Sequence, residues 1–141
     1  MRVLIDTNVL VSYLVQPGRE GAVGTVIHAA LEGQFTLLMP QALLNELIVT
    51  VRGKPRLAKR IPLEELEIFV ALLAQSGEGV ATIAEPIPAA TRDRNDDYLL
   101  AYALLGAADY LVTGDRDLLI LNEQIAGLTI LTPAQFATLL A

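Results

Sequence analysis

Six acidic positions stand where a fold could gather them. Asp6 directly follows the apolar run RVLI at residues 2–5, and Asp115 comes just after YLVT at 110–113, with Asp117 two residues on. Asp96 and Asp97 open an otherwise apolar stretch with helical patterning. Glu46 lies inside LLNELIVTV. Its helical neighbours at three and four residues are Ala42, Leu43, Val49 and Thr50, so its carboxylate is expected to be partly desolvated. Carboxylates brought together repel, and some must keep a proton unless a cation sits among them. An all-oxygen donor set in a chain with no cysteine favours Mg²⁺ or Mn²⁺ over zinc. The single histidine, His28, sits in the apolar stretch VIHAAL and reads as structural, which leaves no histidine pair for catalysis. Each acid alone also has an ordinary role. Asp6 could cap a helix, Asp96 or Asp97 could favour a helix dipole, Asp115 could shape a turn, and Glu46 could face water.

These acids can meet only if the intervening elements bring them to one edge. The apolar patterning predicts strands over 2–5, 35–39, 80–84, 110–113 and 128–131. Helices are expected over 8–15, 20–32, 40–52, 62–75 and 96–105, and after Thr132, with Pro40, Pro62 and Pro133 at helix starts. Residues 53–61 read as a basic turn, 85–95 as an irregular loop and 114–117 as a turn. Strands alternating with helices imply an α/β fold, a central parallel sheet with helices on both faces. Sites in such sheets lie beyond the carboxyl ends of the strands, where Asp6 and Asp115 fall.

The chain has 141 residues, enough for one domain spanning 1–141. Its hydrophobic content is 53%, yet the longest apolar run, from Tyr98 to Leu105, falls far short of the roughly 20 residues a membrane span needs. The apolar excess instead predicts a surface for a partner or a second copy. Asp6, Thr7 and Asn8 interrupt the N-terminal apolar run, so no targeting segment is read and a cytoplasmic location is expected. Net charge is −6, but five of the ten basic residues cluster: Arg52, Lys54, Arg56, Lys59 and Arg60. That cluster reads either as a solvated basic loop or as a phosphate-contacting patch.

The segments MRVLIDTNVLVS, QALLNELIVTV, RDRNDDYLLAYAL and GAADYLVTGDRDLL resemble the PIN-domain proteins, which include the VapC-like toxins of toxin–antitoxin pairs. The match in order and spacing runs along nearly the whole chain. It implies a three-layer α-β-α PIN domain and a Mg²⁺- or Mn²⁺-dependent endoribonuclease that leaves 3′-hydroxyl and 5′-phosphate ends. By the same resemblance Asp6, Glu46, Asp96 and Asp115 are the catalytic acids, with the metal on Asp6, Asp96 and Asp115. Asn8 and Thr113 would support the site, joined by Asp97 and Asp117. The third acid stays open between Asp96 and Asp97, because neighbouring helical residues point about 100° apart. RNA is the implied substrate, an antitoxin protein the implied partner, and a homodimer the implied assembly. Arg94 stands where the family usually has proline, and VRGKPRLAKR replaces a basic-proline stretch. Three other readings compete with this one. An aspartate-based phosphatase needs an acid where Asn8 stands, and a receiver domain needs a strand-end lysine, whereas the lysines are Lys54 and Lys59. A catalytically inactive PIN scaffold that binds RNA or protein is the remaining alternative.

Overall fold

The computed structural model describes residues 1–84 and 86–141. Four strands form one sheet: β1 (Arg2–Ile5), β2 (Thr36–Leu38), β3 (Tyr110–Val112) and β4 (Thr129–Leu131). Their order is β2-β1-β3-β4, and every pairing is parallel. Val3, Leu4 and Ile5 are all buried, although successive side chains point to opposite faces of a strand. Both faces of the sheet are therefore covered, as a parallel sheet requires. The three-layer α/β arrangement expected from the sequence is the one observed.

Eight helices are found among the described residues: α1 (Thr7–Val15), α2 (Gly21–Leu31), α3 (Gln41–Gly53), α4 (Pro55–Arg60), α5 (Leu63–Ser76), α6 (Arg94–Leu105), α7 (Arg116–Leu119) and α8 (Pro133–Leu140). None is long and apolar enough to cross a membrane. Two short helices replace turns read from the sequence. Residues 55–60 form α4 because Pro55 supplies a ready-made first helical position. Arg116–Leu119 forms α7 because the Asp115 side chain caps it, accepting from the Asp117 backbone N–H at 2.9 Å.

The strand expected over 80–84 does not form. The chain touches the sheet edge at one bridge, Leu38 with Glu78. There the Glu78 N–H donates to Leu37 O and the Met39 N–H donates to Glu78 O, both at 2.7 Å. The ladder stops because β2 itself stops. Pro40 is the N-cap of α3, and no strand continues beyond it to pair with Val80. The loop expected over 85–95 begins at a residue outside the described ones. Residues 86–90 carry neither helix nor strand, while α6 starts at Arg94.

The last helix is tied down at both levels. Thr132 and Gln135 form a reciprocal capping box at its start. Phe136, fully buried, meets Phe35 edge-on at 5.3 Å and Tyr110 at 5.5 Å between ring centroids. Those rings join α8 to the loop before β2 and to β3.

Candidate active site

The sheet order places the carboxyl ends of β1 and β3 side by side, at the point where successive connections depart in opposite directions. Ile5 pairs with Val112, and the Asp6 N–H donates to Val112 O at 2.9 Å. One residue further on each strand stand Asp6 and Thr113, both buried. The Thr113 hydroxyl donates to Asp6 Oδ2 at 2.7 Å and accepts from the Asp115 N–H at 3.0 Å. One threonine thus links the acid after β1 to the acid after β3. Asp6 also accepts from the Asn8 N–H at 3.3 Å, so it caps α1. The capping role and the strand-end role belong to the same carboxylate.

Asp96 lies in the first turn of α6 and is buried. Its Oδ2 receives no hydrogen bond among the described residues. Burial pushes its pKa up to about 7, helped by a proton-sharing contact with Asp115 and by the charges of Asp115, Asp93 and Asp6. As a carboxylate its inner oxygen has no donor, whereas as an acid it can share its proton with Asp115. Carboxylate oxygens of Asp96, Asp115 and Asp117 all lie within 4.8 Å of one another. That closest trio contains Asp117 in place of Asp6. Asp117 is also held by Arg92 at 2.8 Å.

Burial raises the pKa of Asp6, partly offset by the Thr113 hydroxyl. Glu46, half-buried on α3, is raised first by burial and then by the charge of Asp6. Four carboxylates on four elements therefore press on one another. A divalent cation fits this donor set: all donors are oxygen, and the unpartnered Asp96 Oδ2 is an acceptor waiting for positive charge.

Asp97, one residue from Asp96, is turned to a different task. Its Oδ1 accepts from the Ala90 N–H at 2.9 Å, the Thr91 N–H at 2.7 Å and the Thr91 hydroxyl at 2.9 Å. These bonds, led by that from Ala90, hold its pKa below the usual range. Asp97 thus fixes the loop before α6 while Asp96 faces the other acids. Asn8 lies exposed on the first turn of α1. Arg52, Lys54, Arg56, Lys59 and Arg60 are all exposed, at the end of α3 and along α4. Arg52 is six residues past Glu46, about 9 Å along the helix axis.

Two contributors escaped the sequence reading. Asp93 caps α6 by accepting from the Asn95 N–H at 2.9 Å, and its charge raises both Asp96 and Glu46. Its position two residues before Asn95 in RDRND was the available signal. Thr7 has a buried hydroxyl that completes no hydrogen bond of good geometry among the described residues, although it lies toward Glu46. Nothing in DTN distinguished it from a routine first-turn residue.

The raised acid predicts a pH effect on the metal-free protein. Asp96 titrates near 7 when folded against an ordinary value of 3.8. Between those values the folded chain binds the extra proton, so its stability falls as pH rises through the window. In EDTA the melting temperature is expected to drop a few degrees from pH 5 to pH 8. Asp96→Asn should flatten the slope. A melting temperature that climbs over that range in both proteins would contradict the assignment.

Comparison with known proteins adds two findings. A family model described as PIN domain matches residues 2–117. A chain in the crystal structure of VapBC2 from Rickettsia felis, bound to a DNA fragment from their promoter, is similar in fold with a TM-score of 0.60. That likeness covers 94% of this chain and 98% of the other at 15% sequence identity. A search of curated proteins finds no match to the sequence.

Proposed function

Since the chain belongs to the PIN-domain family, we propose that it is a Mg²⁺- or Mn²⁺-dependent endoribonuclease and the toxin of a toxin–antitoxin pair. The observation that carries the reading is the convergence of Asp6, Glu46, Asp96 and Asp115, with one buried Asp96 oxygen left without a donor. Asp6, Asp96 and Asp115 would hold the cation, and Asp117 lies close enough to Asp96 and Asp115 to join them. A bound divalent ion supplies charge neutralisation at the scissile phosphate and makes water more acidic. Thr113 keeps Asp6 and Asp115 at a fixed separation by bonding to both. Glu46, with its raised pKa, accepts the proton of the attacking water. Asn8, exposed on the first turn of α1, supports Asp6 through its backbone N–H.

The likeness in fold to a chain of VapBC2 supports an antitoxin partner for this chain. A second copy of the chain is proposed on other grounds: Leu63, Ile68 and Leu72 on α5 are large apolar side chains left exposed. The cytoplasm is the proposed location of such a pair.

The deciding experiment is cleavage of a mixed RNA panel with Mg²⁺ or Mn²⁺, beside an EDTA control. Metal-dependent internal cuts are expected, and no cleavage under any metal would end the nuclease reading. Within the same assay Asp96→Asn should abolish cutting. Asp97→Asn should chiefly loosen the loop at Ala90 and Thr91, and the reverse outcome would exchange their roles.

The basic stretch has its own expected signature. Replacing Lys54, Arg56 and Lys59 together with glutamine should weaken RNA binding most at low salt. The slope of log affinity against log salt should fall by about 0.7 per lost phosphate contact on a single strand. An unchanged slope in a filter-binding titration would remove this stretch from the RNA path.

A further inference from the structure

A groove of about 580 Å³ opens between α3 and α6, beneath the segment that follows the sheet-edge bridge. Glu46 lines it, so it begins where the acid cluster ends. Its floor is apolar, from Leu43, Leu99 and the ring of Tyr102, all buried. Asn45, Asn95 and Thr82 line it with amide and hydroxyl groups, and Tyr98 adds an aromatic ring that is only partly buried. An acid cluster suited to a phosphate therefore continues into a slot with a flat ring, an apolar floor and groups that both donate and accept.

The Tyr98 ring is braced. The Arg94 guanidinium lies over it at 5.2 Å from the centroid. The same guanidinium donates to Ile87 O at 2.8 Å and approaches Asp97 at 3.9 Å. The Tyr102 hydroxyl accepts from the Ile83 N–H at 3.2 Å, which fastens the covering segment to α6. A braced ring loses little freedom when a second flat group stacks on it.

Resting on the nuclease reading, we propose that this groove seats one unstacked nucleobase of the RNA beside the scissile phosphate, stacked on Tyr98 with its edge toward Asn45 and Asn95. Single-stranded RNA is recognised in this manner, by splayed bases on aromatic rings with amides at their edges. The groove fits a base better than a helix of a protein partner, which would need an open apolar face without an acid at one end. Arg94 is then a positioning residue, acting through the ring it holds.

The test uses the full-length chain carrying Asp6→Asn, so that bound RNA is not turned over, in Mg²⁺ buffer. The probes are fluorescent single-stranded RNA octamers, intact or with one abasic site moved along the strand. One stacked base contributes about 1–3 kcal/mol by substitution, or about 5- to 150-fold in affinity. Adding Tyr98→Leu, which keeps an apolar filling, should weaken the intact octamer within that range, while Tyr98→Phe stays within about twofold of the parent. The abasic site should weaken the parent at one position and leave the Tyr98→Leu protein indifferent there. Overturning results are no binding of the intact octamer, an unchanged affinity in Tyr98→Leu, or an equal loss for intact and abasic strands. The second of these is also what a peptide-binding groove would give. Cleavage by the wild type separates the two claims. Metal-dependent cutting with no Tyr98 effect sinks the base site alone, and base-sensitive binding without cutting sinks only the catalysis.

Discussion

Asp6→Asn should cut metal-dependent RNA cleavage by about 100-fold or more while raising the melting temperature of the metal-free protein. The two effects share one cause. Asp6 is buried beside Asp96, Asp115 and Glu46, and its charge raises the pKa of Asp96 and Glu46. Removing that charge relieves the folded state. It also removes one of the groups that would draw a cation in. The neutral amide keeps the local hydrogen bonds. Its Oδ1 can accept from the Asn8 N–H as Asp6 does now, and its NH₂ can donate to the Thr113 hydroxyl in reversed sense. Asparagine is also a good N-cap, so α1 keeps its start. A melt in EDTA with cleavage in Mn²⁺ reads both sides. Lost activity together with a lowered melting temperature would mean that the variant acts through misfolding, and the catalytic role of Asp6 would lose its support.

Phe136→Ala should cost about 3–5 kcal/mol of folding stability and lower the melting temperature by on the order of 10–15 °C. Phe136 is fully buried and touches the rings of Phe35 and Tyr110, so truncation leaves a cavity at the join of α8 and the sheet. Both ring partners sit at the amino-terminal ends of their strands, whereas the acids follow the carboxyl ends. At a temperature where the variant remains folded, its cleavage per folded molecule should therefore match the parent. Urea denaturation followed by circular dichroism measures the loss. A loss below about 1 kcal/mol would show that the site collapses around the gap.

Much of this architecture was legible because apolar runs of strand length and helix length alternate along the chain. β1 and β3 were read from RVLI and YLVT, and their end acids followed directly. Position 80–84 shows where such reading fails. Val80 to Ala84 has the composition of a strand, but pairing depends on a neighbour, and β2 ends at Pro40 before a ladder can extend. The basic stretch differs for a local reason: Gly53 and Pro55 suggest a turn, while Pro55 in fact begins α4. The candidate acids were visible as types and spacings. Which of Asp96 and Asp97 faces the cluster was not, because that choice is made by the Ala90 and Thr91 amides that claim Asp97. Asp93 carried a local signal as the cap before Asn95, but its influence on Glu46 depends on the fold bringing α3 and α6 together.

The pairing of Ile5 with Val112 also orders events in time. β1 leaves the ribosome ahead of α1 to α6, and its neighbour β3 only after them. Contacts so distant in sequence form late in folding. Asp6 therefore emerges long before Asp115 and Thr113 exist to complete its surroundings. A nascent chain still threaded through the ribosome holds an unfinished acid cluster, and the RNA of the machine producing it lies beside a protein that has not yet acquired its full set of carboxylates.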